Sequence, residues 1–450
     1  MGARARAGSG VGSARAPSRL SLDPARRRQD RRHLRGRHAR RVPARHGRGR
    51  RHLRQRLLHE EGRRRDGEEH RQEVVPGDPR RAEGLTLARP DGPLRGLRVL
   101  EVATLYAAPQ IGAMLGDLGA DVVKVEPPDG DPMRSMGVVR DGVSRNWAWV
   151  GRHKRSIVLD LTADDGQGTF QELVGGADVL IENLDERTRE RWHCDFATLA
   201  RINPRIVVVT VTGFGLTGPY AGRPGAGTLA EAFAGFTHMI GERDGPPMLP
   251  SVAVGDTLTA FIGVIGALAA CWGRDAGTTG QGRHLDVTMY DPILQLMGAT
   301  ISTYDAAAGG EPPGRFGSRV HGGVPRNVYR TRDDRWVAVS GTTDAQVGRL
   351  LPLIGLDTDE ARERYGSARA RIAVADELDG LVAAWIATQD RTDVLDAFIG
   401  ARIPIAPVND VRDILADPHL EARGDLDRLQ SGVAPGLGEH RDEILHDWLS

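Results

Sequence analysis

Short β-branched runs alternate with helical stretches along the middle of this 450-residue chain, and no other feature limits its fold as strongly. The predicted strands are Val99–Val102, Asp121–Glu126, Ser156–Leu161, Asp178–Glu182 and Arg205–Thr212, and the predicted helices between them are Pro109–Leu118, Gly166–Val174 and Phe196–Ile202. This alternation is typical of a parallel sheet covered by helices on both faces. Because ligands of such sheets bind at the carboxyl ends of the strands, the sequence predicts an α/β fold with its binding site along that edge.

The second half of the chain has a different character. The pattern predicts helices at Leu229–Ile240, Thr257–Trp272 and Pro292–Thr303 and a strand at His284–Thr288, followed by a hairpin at Val328–Val339 and helices at Thr343–Ile354, Ala375–Thr388 and Arg391–Ile399. Glycine and proline pairs before the hairpin indicate a linker. We therefore expect a large parallel-sheet domain at 91–305, a linker at 306–324 and a smaller α+β domain at 325–412.

The first 90 residues are electrostatically distinct from the rest. They hold 26 Arg, no Lys and 10 acidic residues, a net charge of +16, whereas the remainder carries −15. Without a sustained apolar period they cannot offset the entropy of ordering, so residues 1–90 are predicted to be a disordered Arg-rich extension. A passive or artefactual extension fits better than a nucleic-acid-binding arm, because interleaved aromatic residues that would stack on bases are missing.

Signals for bound cofactors are weak. The stretch Gly213–Gly218 matches the G-x-G-x-x-G pattern and follows a predicted strand, but Pro219 prevents the helix whose N-terminus would bind a pyrophosphate. Metal-ligand spacing, a phosphate loop and a G-x-S-x-G elbow do not occur in the sequence. We therefore expect no metal and no tightly bound cofactor.

The two cysteines and the longest apolar run bear on the cellular compartment and on membrane insertion. Cys194 and Cys271 stand far apart, so a disulfide framework is not expected and a reducing cytoplasm is the predicted location. The apolar run 253–272 is interrupted by Asp256 and is rich in glycine and alanine. It is interpreted as a buried helix and not as a membrane span.

Asp256 is the candidate catalytic residue. It lies between Gly255 and the apolar run that begins at Thr257. A carboxylate there is expected to be fixed, kept ionised by backbone N–H groups and approachable from the glycine side, which suits a carboxylate nucleophile. The alternative is an ordinary helix N-cap that only satisfies backbone donors.

Five segments, found in a fixed order, carry a resemblance to a known family. They are Leu94–Glu101, Leu118–Pro128 with Gly130–Pro132, Lys154–Ile157 with Leu159–Leu161, Ala177–Asn183 followed by Gly213–Gly215 and Gly218–Tyr220, and Pro404–Asn409. From Pro93 to about Leu445 the chain resembles the class III coenzyme A transferases, a family that includes formyl-CoA transferase, carnitine CoA-transferase and 2-methylacyl-CoA racemase. The resemblance implies transfer of CoA between an acyl-CoA and a carboxylic acid, with Asp256 as the nucleophile.

The resemblance also implies an architecture. A Rossmann-like large domain is followed by a small domain, the segment 413–450 returns to the large domain, and two chains interlock as a homodimer. The substrates would be acyl-CoA and a carboxylate, with no membrane and no nucleic acid as partner. The returning segment is shorter here than is usual in the family, which puts its packing in doubt.

The family's coenzyme A contacts can be carried over position by position. By resemblance they are Leu105, Tyr106, Ala107, Leu159, Asn183, Leu184 and Arg191. Arg134 is the candidate to supply the charge of a family arginine that is replaced here by Pro127, and Gly322 and Gly323, after His321, resemble the glycine-rich loop that covers the intermediate. A solvated helix face is the alternative for Arg191.

One departure bears on the reaction. Where family members carry a tyrosine and an aspartate, or a His-Asp pair in racemases, this chain has Ala226 and Gly227. Racemisation needs an acid and a base on opposite faces of the α-carbon, and neither residue can serve. The sequence therefore favours the transferase over the alternative, a 2-methylacyl-CoA racemase or other acyl-CoA isomerase. Glu231, one helical turn further on, is interpreted as solvated or structural.

Overall fold

The computed structural model describes residues 92–277, 280–305, 309–320, 322–426 and 433–450. The Arg-rich segment 1–90, predicted to be disordered, lies outside the described residues. The strands are β1 Arg98–Val102, β2 Asp121–Glu126, β3 Val139–Arg140, β4 Val143–Ser144, β5 Lys154–Val158, β6 Val179–Glu182, β7 Val207–Thr212, β8 His284–Thr288, β9 Arg326–Arg330, β10 Trp336–Ser340 and β11 Ile405–Pro407.

Helices cover both faces of the larger sheet and pack on the smaller one. They are α1 Ala107–Asp117, α2 Arg145–Val150, α3 Asp164–Gly176, α4 Glu186–Arg191, α5 Phe196–Ile202, α6 Gly227–Phe233, α7 Phe236–Met239, α8 Val254–Asp275, α9 Asp291–Thr303, α10 Asp344–Leu353, α11 Asp359–Tyr365, α12 Ala368–Ala373, α13 Ala375–Ile386, α14 Arg391–Gly400, α15 Val411–Leu415, α16 Pro418–Arg423 and α17 Arg441–Leu449.

The larger sheet has six parallel strands in the order β5-β2-β1-β6-β7-β8. In chain order of these strands this is 3-2-1-4-5-6, the doubly wound arrangement of Rossmann-like folds. Alternate residues of each strand face opposite sides, so Val99 lies in one core with α1 and α8 while Leu100 lies in the other with α3 and α5. The predicted α/β fold with a parallel sheet is confirmed.

The smaller sheet is antiparallel, in the order β11-β10-β9. Strands β9 and β10 form the predicted hairpin, in which Val337 pairs with Tyr329. A separate core joins it to α10, α13 and α14. The helix α10 begins with a capping box in which the Thr343 side chain accepts from the Gln346 N–H and the Gln346 side chain accepts from the Thr343 N–H. The numerical domain boundaries stay a prediction.

Two predicted elements differ from the structure. The single helix predicted at Leu229–Ile240 is wrong, because Gly235 adopts a left-handed conformation (φ 89°) that separates α6 from α7. The third strand is shifted toward its N-terminus: β5 covers Lys154–Val158, where Ser156–Leu161 was predicted. The β-branched pattern marks a strand well, but its ends are set by pairing with β2.

The segment after Pro435 packs against the larger sheet. Ile444 and Trp448 of α17 are buried in the core beside α3 and β5. The Trp448 indole N–H donates to Asp121 Oδ2 at 2.8 Å, and Arg155 pairs with Asp447 at 2.8 Å. The short returning segment therefore still completes one face of the large sheet.

The helix α8 is long and apolar enough to cross a bilayer by length and composition alone. In the structure it packs against α1, β7, β8 and α9. A Cβ at Gly263 would overlap the Ile111 side chain of α1, so the glycine lets the two helices approach without a shift of Ile111. These contacts agree with the interpretation of α8 as a core helix.

Candidate active site

The strand order reverses between β1 and β6, so the loops after these two strands flank the crevice where ligands of such sheets bind. Asn183 joins the two loops. Its side-chain oxygen accepts from the Thr104 N–H at 3.0 Å, and its side-chain nitrogen donates to the Thr104 carbonyl at 2.9 Å. Asn183, predicted to contact coenzyme A, thus fixes the shape of the loop that carries Leu105 and Tyr106.

Leu105 has a left-handed backbone (φ 70°), which is unusual for a branched side chain, and 44% of its surface is exposed. Its N–H donates to Asp131 Oδ1 at 3.3 Å. The other Asp131 oxygen pairs with buried Lys124 at 2.9 Å, and Lys124 pairs with Glu101 at 2.9 Å. A buried ion-pair network beneath the sheet edge therefore supports the conformation of the Leu105 loop.

Asp256 reaches this region because α8 packs along α1. Tyr106 immediately precedes α1 and is half-buried. Burial raises the pKa of the Tyr106 hydroxyl, and the negative charge of Asp256 raises it further. Trp149 and the positive charge of Arg152 lower the pKa of the hydroxyl and partly oppose this shift. Tyr106 and Asp256, predicted from different segments, therefore lie close enough to interact.

Asp256 is the third residue of α8 and not its N-cap, a position held by Ala253. Burial raises the pKa of the Asp256 carboxyl group, the nearby Glu231 raises it further, and a hydrogen bond from the Gly227 N–H only partly opposes them. The expectation that backbone N–H groups keep this carboxyl group ionised stays a prediction, because the Gly227 N–H lowers its pKa while burial and Glu231 raise it. A carboxylate with a raised pKa is the more basic nucleophile.

Gly227 lies against the Asp256 carboxyl group. A Cβ at this position would be 2.7 Å from Asp256 Cγ and 2.8 Å from the Asp256 backbone nitrogen. The glycine that replaces the family's acidic residue is therefore packed against the candidate nucleophile itself. Any side chain at this position would displace the Asp256 carboxyl group.

Glu231 is completely buried, so of its two interpretations, solvated or structural, the solvated one is wrong. Its Oε1 accepts from the Gly255 N–H at 2.8 Å, directly before Asp256. Its Oε2 has no hydrogen-bond partner among the described residues. Sequence reasoning placed Glu231 one turn after Gly227 but had no signal for its burial, since an acid on a short alanine-rich helix is usually solvated.

Three predicted contacts have other local roles. Ala107 is buried in the first turn of α1, and Leu159 lies in the core, where its N–H donates to the Glu126 carbonyl at 3.0 Å. Leu184 packs on the same core, and its N–H donates to Glu182 at 2.7 Å. The backbone atoms of these residues remain the parts that a ligand could contact. Their assignment to coenzyme A stays a prediction.

The two predicted phosphate-binding arginines differ in availability. Arg134 forms a two-bond ion pair with buried Glu126, at 2.8 and 2.6 Å, and stacks over Trp147 at 3.9 Å. Arg191 is exposed at the end of α4. Arg134 would have to exchange one partner for a phosphate, whereas Arg191 is accessible as it stands. Both assignments stay predictions.

The predicted glycine-rich loop lies beside the small sheet. Gly322 has φ 89°, and Gly323 packs against Thr342, two residues after β10. His321 lies outside the described residues. The contact of this loop with an intermediate stays a prediction.

The G-x-G-x-x-G stretch does not open a helix. The residues after β7 form turns, and the next helix, α6, begins only at Gly227. No group of three or more His, Cys, Asp or Glu side chains that could hold a metal ion occurs in the described ranges. The polar groups near the strand ends include the half-buried carboxyl group of Asp256, the hydroxyl of Tyr106 and the buried carboxyl group of Glu231.

Comparison with known proteins gives a consistent result. The model of CoA-transferase family III matches residues 94–439. The chain is 33% identical over 385 residues to the succinyl-CoA–L-malate CoA-transferase beta subunit of Chloroflexus aurantiacus, with 79% of this chain and 94% of that protein covered. It is 34% identical over 384 residues to the succinate–glutarate CoA-transferase of Agrobacterium fabrum, with 78% and 95% covered.

A solved structure extends the similarity to the fold. A CAIB/BAIF family protein from Brucella suis is 31% identical and superposes with a TM-score of 0.70, covering 79% of this chain and 99% of that chain. The family match spans the parallel sheet, the Asp256 helix and the small sheet. The chain therefore belongs to CoA-transferase family III and is an acyl-CoA:carboxylate CoA-transferase.

Proposed function

We propose that Asp256 is the nucleophile of this CoA-transferase. An Asp256 carboxylate oxygen attacks the thioester carbonyl of the donor acyl-CoA, the C–S bond breaks, and the CoA thiolate leaves with the electron pair. The thiolate then attacks the Asp256 carbonyl of the mixed anhydride, which releases the donor acid and leaves an aspartyl-CoA thioester.

The acceptor acid reverses the sequence. Its carboxylate attacks the aspartyl thioester and expels the thiolate, which next attacks the acceptor carbonyl of the second anhydride. The acceptor acyl-CoA leaves, and the Asp256 carboxylate is restored. A thioester is present at both ends of the reaction, so the net free-energy change is small.

One observation carries the proposal: the Asp256 carboxyl group is half-buried at the first turn of α8, where it packs against Gly227 and lies near Tyr106, the residue that follows the β1 loop. Coenzyme A would lie along the β1 and β6 loops near Asn183. Transfer is favoured over racemisation because the position that carries an acid in racemases is Gly227, which packs directly on Asp256.

The substrate class is proposed from the relatives. Their names give succinyl-CoA, succinate, glutarate, L-malate and D-citramalate as the compounds exchanged. We propose that this chain transfers CoA between short dicarboxylic acids, with succinyl-CoA as a donor. The free, buried thiols Cys194 and Cys271 agree with a reducing cytoplasm as the proposed location.

Trapping with hydroxylamine tests the mechanism and the donor together. Incubation of the enzyme with succinyl-CoA and hydroxylamine should leave a hydroxamate on Asp256, detected by mass spectrometry of the peptide, because both covalent states expose an activated aspartyl carbonyl. Acetyl-CoA and a branched 2-methylacyl-CoA serve as comparison donors and should give less product. An unmodified Asp256 with every donor would contradict the mechanism, and modification by the branched donor alone would contradict the dicarboxylate assignment.

We propose a homodimer from an exposed apolar face on α8 and its neighbours. Large apolar side chains on this face are between 40% and 76% exposed, namely Leu229, Phe233, Phe261, Ile262, Ile265, Trp272, Leu296 and Ile301. These side chains belong to α6, α8 and α9, and α6 and α9 both pack against α8; a monomer rarely exposes large apolar patches. A second copy is the proposed partner, because the dimers implied by the family resemblance interlock.

A charge placed on this apolar face should dissociate the dimer. The double substitution Ile265→Glu and Trp272→Glu buries two unpaired charges in the proposed interface, so sedimentation should show a dimer for the parent and a monomer for the variant. The control, Gln171→Glu on the exposed surface of α3, should stay dimeric. A parent protein that sediments as a monomer would contradict the proposal.

A further inference from the structure

Glu231 stands out as a buried acid that the proposed mechanism does not use. It comes from α6, the same short helix whose first residue, Gly227, contacts the Asp256 carboxyl group. One carboxyl oxygen is occupied by the Gly255 N–H at 2.8 Å. The other is buried and has no partner within the described part of the chain. An orphaned buried acid is costly, so its presence beside the nucleophile calls for a function.

The surroundings of Asp256 contain little to compensate a second negative charge. Among the described residues, Glu231 from α6 is the ionisable group that raises the pKa of Asp256, and the charge of Asp256 in turn raises the pKa of Tyr106 at the start of α1. The charge of Arg152 acts on Tyr106. From α8 itself the nearest polar partner of Glu231 is the backbone of Gly255, and the hydroxyl of Thr259 donates to the Gly255 carbonyl at 2.7 Å.

Resting on the proposed role of Asp256 as nucleophile, we propose that Glu231 is a positioning residue: it holds the Val254–Gly255 peptide group, directly before Asp256, through the Gly255 N–H and sets a like charge beside the Asp256 carboxylate. When Asp256 attacks the thioester, its negative charge leaves on the CoA sulfur. The anhydride and the aspartyl thioester are both neutral at Asp256. Every covalent state therefore relieves the repulsion from Glu231, which makes the free carboxylate the less stable form and favours acylation.

The substitution Glu231→Gln separates charge from hydrogen bonding. The glutamine oxygen can still accept from the Gly255 N–H, and the side chain has nearly the same volume, so the fold and the melting temperature should stay close to those of the parent. With the like charge gone, the fraction of enzyme trapped as hydroxamate under succinyl-CoA should fall by about tenfold or more. The acid limb of the kcat/KM profile should move to lower pH, because Glu231 raises the pKa of Asp256.

Two further variants complete the experiment. Glu231→Leu removes the acceptor as well as the charge, so it should lose more turnover than Glu231→Gln and should also melt lower. Glu172→Gln, an exposed acid on α3, is the matched control and should change neither the trapped fraction nor the pH profile.

The outcomes separate the two proposals. If the parent enzyme is trapped on Asp256 but Glu231→Gln gives the same trapped fraction and the same acid limb, the role of Glu231 is refuted while the nucleophile stands. If the parent enzyme is never trapped on Asp256, the nucleophile fails and the role of Glu231 falls with it. A parallel loss of melting temperature and activity in Glu231→Gln, with an unshifted acid limb, would reduce Glu231 to a structural residue.

Discussion

Replacement of Asp256 by asparagine is expected to lower CoA-transfer turnover by at least about a thousandfold, the scale of loss seen when a covalent nucleophile is removed. The amide keeps the shape of the carboxyl group and its contact with Gly227 but cannot form the anhydride. Turnover is measured by following the appearance of the acceptor acyl-CoA by chromatography. Binding of the donor should change little, because coenzyme A is expected to contact the strand-end loops.

The matched control is Asp244→Asn. Asp244 lies in an exposed turn between α7 and α8, and loss of its charge should leave turnover unchanged. Circular dichroism should show the same helical content for both variants. An Asp256→Asn enzyme with full turnover would end the proposal that this carboxylate forms the covalent intermediates.

The substitution Gly227→Ala is expected to reduce turnover by about a hundredfold, since a shift of about 1 Å in a reacting group can cost that much. The added Cβ would lie 2.7 Å from Asp256 Cγ, so the carboxyl group must move away from its present position. The overlap with the Asp256 backbone nitrogen should also lower the free energy of unfolding by roughly 1–3 kcal/mol, the usual cost of overpacking. Steady-state kinetics and urea unfolding measure the two effects.

Gly168→Ala is the control for Gly227→Ala. Gly168 lies inside α3 with open space where a Cβ would be added, so alanine should leave turnover unchanged and stabilise the helix by about 0.5–1 kcal/mol. A Gly227→Ala enzyme that turns over as fast as the parent would show that Asp256 tolerates displacement, which is incompatible with a positioned nucleophile.

Much of the fold could be predicted because the strands are buried on both sides. Runs such as Val99–Val102 and Asp121–Glu126 combine β-branched residues with glycine-containing turns, and the structure has strands at both positions. The order of the strands could not be predicted, since it depends on pairing between residues far apart in the chain. The reversal point between β1 and β6 therefore appears only in the structure.

The identity of the candidate nucleophile could be proposed from sequence, but its electrostatic state could not. The Gly-Asp pair before an apolar run suggested a helix start, and α8 does begin there. The raised pKa of Asp256 depends on burial and on Glu231, which comes from another helix. No local pattern encodes such an approach, because Glu231 and Gly255 meet through tertiary packing.

The availability of the predicted coenzyme A contacts could not be predicted from local sequence either. A motif match indicates that a residue is near the ligand-binding edge, but not whether its side chain is available. Leu159 points into the core and Arg134 is engaged by Glu126, and both facts follow from packing around β2 and β5. Asn183 was predicted as a ligand contact, whereas its bonds to Thr104 reveal a role in joining two loops.

The helix α17 has a consequence for how this molecule is made. Trp448 bonds to Asp121 across 327 positions of the sequence, and its ring fills the core beside strands that leave the ribosome far earlier. During synthesis the part of this face beside β5 and α3 therefore lacks its last helix while the intervening polypeptide emerges. Contacts of such long range slow folding and leave apolar surface exposed until the C-terminal helix has docked.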